Sequence, residues 1–171
     1  MIRQIEKDHT GLIAQIHDKA LNGDFLPSLG IDFLTAFYEG IIGKPGVYGF
    51  VDVENGRIVG FIIGTRDSEK FFSQALRGNF VKLTLLLLIQ LIKRPQIIKN
   101  VLETFLYTKK EGTSKAELVV IAVNNKSQGK GMGKQLVRAL EQAFKKEKIN
   151  RYKLTVHADK NAVGFYEHLG Y

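Results

Sequence analysis

A chain of 171 residues without a cysteine is long enough for one domain with its own apolar core, and it excludes thiol catalysis, disulfide scaffolding and cysteine-ligated metals. Its formal net charge of +8 is unevenly spread, since residues 1 to 108 hold 12 basic and 11 acidic side chains whereas residues 109 to 171 hold 13 and 6. The excess favours an anionic ligand in the C-terminal part, and the N-terminal MIRQIEKDHT, which lacks the apolar stretch of a secretory signal, makes the cytoplasm the expected compartment.

In chain order, Met1 to Glu6 with Ile2 and Ile5 reads as a short first strand. His9 to Leu21 carries Leu12, Ile13 and Ile16 at helical spacing, with Asp8 or Thr10 placed to cap it. Phe25-Leu26-Pro27 reads as a break. Ser28 to Ile42 then reads as a second helix, apolar along Leu29, Phe33, Leu34, Phe37, Tyr38 and Ile41, and stopped by Gly43-Lys44-Pro45-Gly46. Val47 to Val53 and Arg57 to Thr65 are β-rich runs joined by Glu54-Asn55-Gly56, and Asn-Gly between two such runs predicts an antiparallel hairpin.

Residues 66 to 110 then hold Phe80 to Ile92, FVKLTLLLLIQLI, and beyond Pro95 a periodic stretch with Ile98, Val101, Leu102, Phe105 and Leu106. Both predict helices. Phe80 to Ile92 would rise about 20 Å as a helix, short of a hydrocarbon layer of about 30 Å, and Lys82 and Gln90 interrupt it, so no transmembrane span is expected. Arg77, Lys82, Lys93, Arg94 and Lys99 flank the apolar faces. These faces suit packing on the domain's own core or a second copy, or a surface for an acyl chain, a membrane or a partner protein.

The most informative stretch is Ala116 to Leu136, AELVVIAVNNKSQGKGMGKQL. Glu117 to Val123 is rich in Val and Ile and predicts a strand, Asn124 to Gln128 breaks it, and from Gly133 onward Leu136, Val137, Leu140 and Phe144 share one helical face. A helix N-terminus offers unpaired N–H groups and the positive end of the helix dipole. Gly129, Gly131 and Gly133 let an anion approach that backbone. The P-loop requires glycine where Gln128 stands and Ser or Thr where Gln135 stands, and the dinucleotide fingerprint requires another spacing of its third glycine, so neither applies. Beyond this helix, Tyr152 to Val156 is a fifth strand candidate and Lys160 to Leu169 a final helix.

What fits is [QR]-x-x-G-x-[GA], met by Gln128-Gly129-Lys130-Gly131-Met132-Gly133, which resembles the GCN5-related N-acetyltransferase (GNAT) family. The order of strand, two helices, hairpin, strand, glycine turn and helix is shared with that family. NAVGFYEHLGY at the C-terminus is similar to its second cofactor-contacting motif, with Tyr166 ahead of Leu-Gly-aromatic.

The resemblance implies a mixed α/β domain over residues 1 to 171 that uses acetyl-CoA as acyl donor. It places the pyrophosphate on the turn from Gln128 to Lys134, the pantetheine along Ile121, Ala122 and Val123, and a further cofactor contact at Asp159 or Asn161. It implies a primary amine, small or peptidic, that attacks the thioester directly within a ternary complex, with Tyr166 protonating the departing sulfur and the Val123 N–H polarising the carbonyl. Glu117 matches the strand carboxylate that some relatives use as a base through water, and alternation sets it on one face with Val119, Ile121 and Val123. His157 and His168 are rival bases. His9 and His17 lack a third ligand, and no metal is expected.

Family members continue after Leu-Gly-aromatic with two further strands, whereas this sequence stops at Tyr171, as a shortened product would. The expected fold is therefore a GNAT-like mixed central sheet flanked by helices, with a helical insertion at 66 to 110 and without the last two strands. Its open edge, or the insertion, would invite a second copy. Nucleic acid is not an expected partner, because no reader helix, zinc finger or aromatic-basic RNA signature is present. Two other readings are a non-catalytic acyl-CoA sensor or scaffold, and a membrane-surface or assembly protein working through the apolar insertion.

Overall fold

Alternation along the two runs of the hairpin gives each strand one side chain up and the next down, so both faces of the resulting sheet need cover. The computed structural model describes residues 1–96, 114–156 and 162–171. Five strands, β1 (Ile2–Gln4), β2 (Val47–Glu54), β3 (Arg57–Thr65), β4 (Glu117–Val123) and β5 (Lys153–Leu154), lie side by side in chain order. All neighbours are antiparallel except β4 and β5, which run parallel. The hairpin turn holds Asn55 at φ 50° and Gly56 at φ 75°, the paired positive angles that match the twist of the flanking strands.

One face of the sheet, through Ile5, Val51, Phe61, Ile63 and Ala122, packs against α1 (Thr10–Ala20), α3 (Ile31–Ile41), α4 (Ser68–Gly78) and α5 (Phe80–Lys93). The other face, through Ile62 and Leu118, packs against Leu136, Val137, Leu140 and Phe144 of α6 (Met132–Lys146) and Tyr166 of α7 (Ala162–Glu167). Helix α6 sits directly on β3. A Cβ at Gly64 would lie 2.7 Å from Leu140 Cδ1, so a larger residue there would make Leu140 shift.

Several local expectations are corrected. The chain enters α1 through a 3-10 turn, Lys7–His9, where the Glu6 N–H donates to His9 Nδ1 at 3.1 Å. Neither Asp8 nor Thr10 caps the helix, the Thr10 hydroxyl instead donating to the Lys7 carbonyl at 2.8 Å. The expected break at Phe25-Leu26-Pro27 is itself a helical turn, α2 (Phe25–Ser28). The longer helix begins only at Ile31 because Gly30, at φ 90°, turns the chain between them. Helix α4 has no counterpart in the sequence reading. It crosses α3 so closely that a Cβ at Gly40 would sit 2.6 Å from the Ala75 carbonyl oxygen.

Helix α5 forms where its apolar run predicts and divides its faces. Leu83 is buried, while Val81, Leu85, Leu88, Ile89 and Ile92 are exposed. Among the described residues no single helix is long and apolar enough to cross a membrane. Helices α4 and α5 reach that length and composition only as a pair bent by 89°. The stretch from Ile98 to Leu106 lies outside the described residues. Strand β5 is shorter than expected, and the described part of the final helix runs Ala162–Glu167, the expected start at Lys160 lying outside the described residues.

Strand β4 carries the irregularity that matters most. Its register with β3 runs Ile63↔Val120 and then Gly64↔Leu118, so Val119 is an extra residue, a β-bulge. Its parallel pairing with β5 covers Glu117↔Lys153 and Leu118↔Leu154 and then stops.

A polar pair lies inside the first core. His17 Nδ1 and the Tyr38 hydroxyl are hydrogen-bonded at 2.5 Å, and the two side chains are 4% and 1% exposed. Burial drives the imidazole pKa from 6.5 down to about 4, an effect that Asp24 and Asp18 only partly offset. A folded-state pKa below the unfolded one means stability that is present above pH 6.5 and lost as the pH falls through 4. Urea unfolding at pH 7 and pH 4 is expected to show the parent losing about 3 kcal/mol more than His17→Gln over that window. Equal losses would assign the acid sensitivity to other groups.

Candidate active site

The turn after β4 is built by short-range hydrogen bonds. The Ser127 N–H donates to the Asn124 carbonyl at 2.8 Å, and the Gln128 side-chain amide donates to the Val123 carbonyl at 3.0 Å and to Asn125 Oδ1 at 3.2 Å. Gly129 (φ 76°) and Gly131 (φ 78°) then carry the chain through left-handed conformations into α6, with Gly131 as its N-cap. The first paired amide of the helix is that of Gln135, donating to the Gly131 carbonyl at 3.2 Å. The N–H groups of Met132, Gly133 and Lys134 therefore have no acceptor within the helix. A Cβ at Gly129 or Gly131 would meet nothing within 4 Å, so the space before these amides is open to an anion. Gly133 differs, since a Cβ there would lie 3.0 Å from Phe165 Cζ, and its role is to seat α7.

The ladder between β3 and β4 decides which strand residues face the cleft. The Asn124 N–H donates to the Val59 carbonyl at 2.8 Å, and directly opposed antiparallel residues alternate between exchanging both hydrogen bonds and exchanging none. Phe61 and Ala122 are thus a bonded pair, whereas Ile121 and Val123 turn their N–H and C=O groups away from β3, toward the side where β5 has parted from β4. The Gln128 amide on the Val123 carbonyl agrees with that direction.

A cavity of about 500 Å³ opens there. Of the sequence candidates, Ile121, Val123, Gln128, Gly129, Gly131, Met132, Gly133, Lys134 and Tyr166 line it together. Ala122 does not. Its backbone is used by Phe61 and its side chain is buried in the core of the opposite face. Lys130 is exposed and outside the lining, and Asp159, Asn161 and His157 lie outside the described residues. Ala20, Ser127, Ala162 and Phe165 also contribute to the wall. Ser127 falls in the turn and Ala162 and Phe165 in the C-terminal motif, whereas no local signal marks Ala20, because α1 reaches the cleft only through tertiary packing.

Glu117 is set apart by the bulge. It pairs with Thr65, and directly opposed residues share a face, so it lies on the α1 side of the sheet, while Ile121 and Val123 lie on the α6 side. The expectation of one common face is thus corrected, since the extra residue Val119 reverses the alternation. Glu117 Oε2 stands 3.7 Å from Lys153 Nζ, outside the lining of the cavity. His168 is exposed, with Nδ1 2.6 Å from the Gly164 carbonyl oxygen, and also stands outside it.

A second cavity of about 280 Å³ lies on the α1 side, walled by α1, α2, α3 and α4 and by Val119, Val120, Thr155 and Val156 where the strands diverge. Ile121, Ala162 and Tyr166 line both cavities. Tyr166 is 7% exposed, and burial, with Tyr171 as the lesser cause, pushes its pKa up to about 12. At neutral pH its hydroxyl is therefore protonated and a hydrogen donor. The arrangement can hold an extended anionic molecule along β4 from the glycine turn and present its far end to a second reactant beside a phenol. Among the described residues no three His, Asp or Glu side chains form a group fit to hold a metal ion.

No curated protein matches the sequence. Solved structures similar to the chain include a transcriptional regulator from Bacillus halodurans C-125, at 17% identity and TM-score 0.61, covering 100% of this chain and 91% of that one. The aminoglycoside N-acetyltransferase AAC(6')-Iy in complex with CoA is similar at 14% identity and TM-score 0.61, covering 99% and 84%. The ribosomal-protein-alanine N-acetyltransferase from Brucella melitensis biovar Abortus 2308 is similar at 12% identity and TM-score 0.57, covering 99% and 89%. At such identities the likeness is one of fold. A model of the acetyltransferase (GNAT) family matches residues 15–171, and by that match the chain belongs to the GNAT acetyltransferase family.

Proposed function

We propose that the chain transfers the acetyl group of acetyl-CoA to a primary amine by direct attack within a ternary complex. The observation that carries this reading is Tyr166, a buried phenol shared by the cavity that begins at the glycine turn and the cavity walled by α1 to α4. Acetyl-CoA would supply an acyl carbon already activated as a thioester. The amides of Met132, Gly133 and Lys134, with the Lys134 side chain nearby, would bind its pyrophosphate. The polar groups of Ile121 and Val123 would pair with its pantetheine as a strand pairs with its neighbour.

The Val123 N–H faces the cleft and is the donor that we assign to the thioester carbonyl oxygen, where negative charge develops during attack. Tyr166 donates its hydroxyl hydrogen to the departing sulfur. An amine of pKa about 10 needs roughly 4 kcal/mol to become neutral at pH 7. Glu117 shares a face of β4 with Val120 of the second cavity, and we assign to it the amine's proton, drawn through intervening water. The non-catalytic sensor reading shares the binding step and differs in predicting no thiol release.

Three variants separate these roles. Gly131→Glu puts a carboxylate before the unpaired amides and is expected to abolish coenzyme A binding in calorimetric titration while preserving the circular dichroism of the parent. Undiminished affinity would sink the cofactor site. Tyr166→Phe is expected to leave coenzyme A affinity unchanged and to slow thiol release about 100-fold. Normal turnover at every pH would remove the acid role. Glu117→Gln is expected to flatten the acidic limb of the rate profile, and an unaltered limb would exclude Glu117 as the base.

A further inference from the structure

The flank of α6 that faces β1 and β2 carries a stripe of its own. Gln135, Arg138, Ala139, Gln142, Ala143 and Lys146 recur at alternating intervals of three and one, which sets them in line along the helix, and all of them border a groove of about 760 Å³. The two alanines leave the middle of the stripe low. Ile2 of β1 and Tyr48 and Phe50 of β2 floor the groove with apolar surface, and the Tyr48 ring is held edge-on against Phe144 of α6 at 5.4 Å. Arg138 and Lys146 flank the low point and are exposed, and among the described residues no hydrogen bond or ion pair engages either side chain. The carboxylate of Glu147, at the end of the groove, is taken by Arg66 Nη2 at 2.6 Å.

We infer that this groove docks an extended acidic segment of a partner protein, with acidic side chains at positions i and i+4 and an apolar one at i+2. The spacing of the two cations favours a chain over a small anion. Arg138 and Lys146 are eight residues apart on one helix, a rise of about 12 Å, which a single carboxylate or phosphate group does not bridge. Four residues of extended chain advance about 13 Å, and the side chains at i, i+2 and i+4 point the same way. The outer two then reach Arg138 and Lys146, and the middle one enters the gap over Ala139 and Ala143 against Tyr48 and Phe50. The charges set register and attraction, and the apolar floor supplies the buried contact. The groove shares no lining residue with either cavity of the candidate active site, so its occupant is independent of the acyl-transfer reading.

The test titrates the peptide Ac-Glu-Ser-Phe-Ser-Glu-NH2 into the full chain by calorimetry at low ionic strength, where exposed charges are least screened. A permuted peptide, Ac-Glu-Glu-Phe-Ser-Ser-NH2, keeps the composition and removes the spacing without altering the protein. Saturable one-to-one binding is expected, about fivefold or more tighter than that of the permuted peptide and weakened about tenfold in Arg138→Glu and in Lys146→Glu. Lys19→Glu makes the same change of charge at an exposed position of α1 and is expected to leave the affinity unchanged. All three side chains are exposed, and each variant is expected to keep the circular dichroism of the parent. Absence of saturable binding by the parent overturns the inference, as does equal binding of the permuted peptide. Equal weakening in all three variants would assign the binding to net charge and refute the groove. Citrate that binds more tightly than the peptide, and is weakened by the same two groove variants, would assign the site to a small polyanion and refute the inference as well.

Discussion

The separation of β4 from β5 is the constraint on which the rest of the molecule depends. Two parallel strands that stayed in register would satisfy each other's backbone groups and leave no room between them. Here pairing ends after Leu118↔Leu154, one residue before the bulge at Val119. From that point the polar groups of Ile121 and Val123 need other partners, and the Gln128 side chain already supplies one by bonding the Val123 carbonyl. The interrupted sheet thus leaves an open edge at the carboxyl ends of parallel strands, where α/β proteins commonly hold ligands.

The two cores then meet at this opening. Helix α6 lies close on β3, with Leu140 and Phe144 over Gly64. The other core brings α1, α3 and α4 to the opposite side, where the hydrogen-bonded His17–Tyr38 pair borders the second cavity. Tyr166 belongs to the α6 core yet borders the cavity of the other side, so a single side chain registers the position of both layers. A change in how either layer sits on the sheet would move that hydroxyl relative to the strand.

Charge follows the same division. The lysines that make the chain basic gather in the part containing the glycine turn, and Lys134 lines the cavity that starts there. The cavity on the α1 side carries a carboxylate and aromatic rings instead.

The amino-acid sequence alone determined those features in which a few neighbouring residues dictate the backbone. Asn55-Gly56 specified the hairpin, the spacing of Leu136, Val137, Leu140 and Phe144 specified α6, and Gln128 to Gly133 specified the turn between β4 and that helix, with enough detail to name the family. It left open whatever rests on contacts between distant segments. The bulge that turns Glu117 to the α1 face, the early end of β5, the helical turn at Phe25–Ser28 and the presence of α4 over the cleft were decided only in the tertiary structure. Propensity and periodicity are properties of a single segment. The register of one strand against another, and the face a helix finds free, are properties of the packed whole.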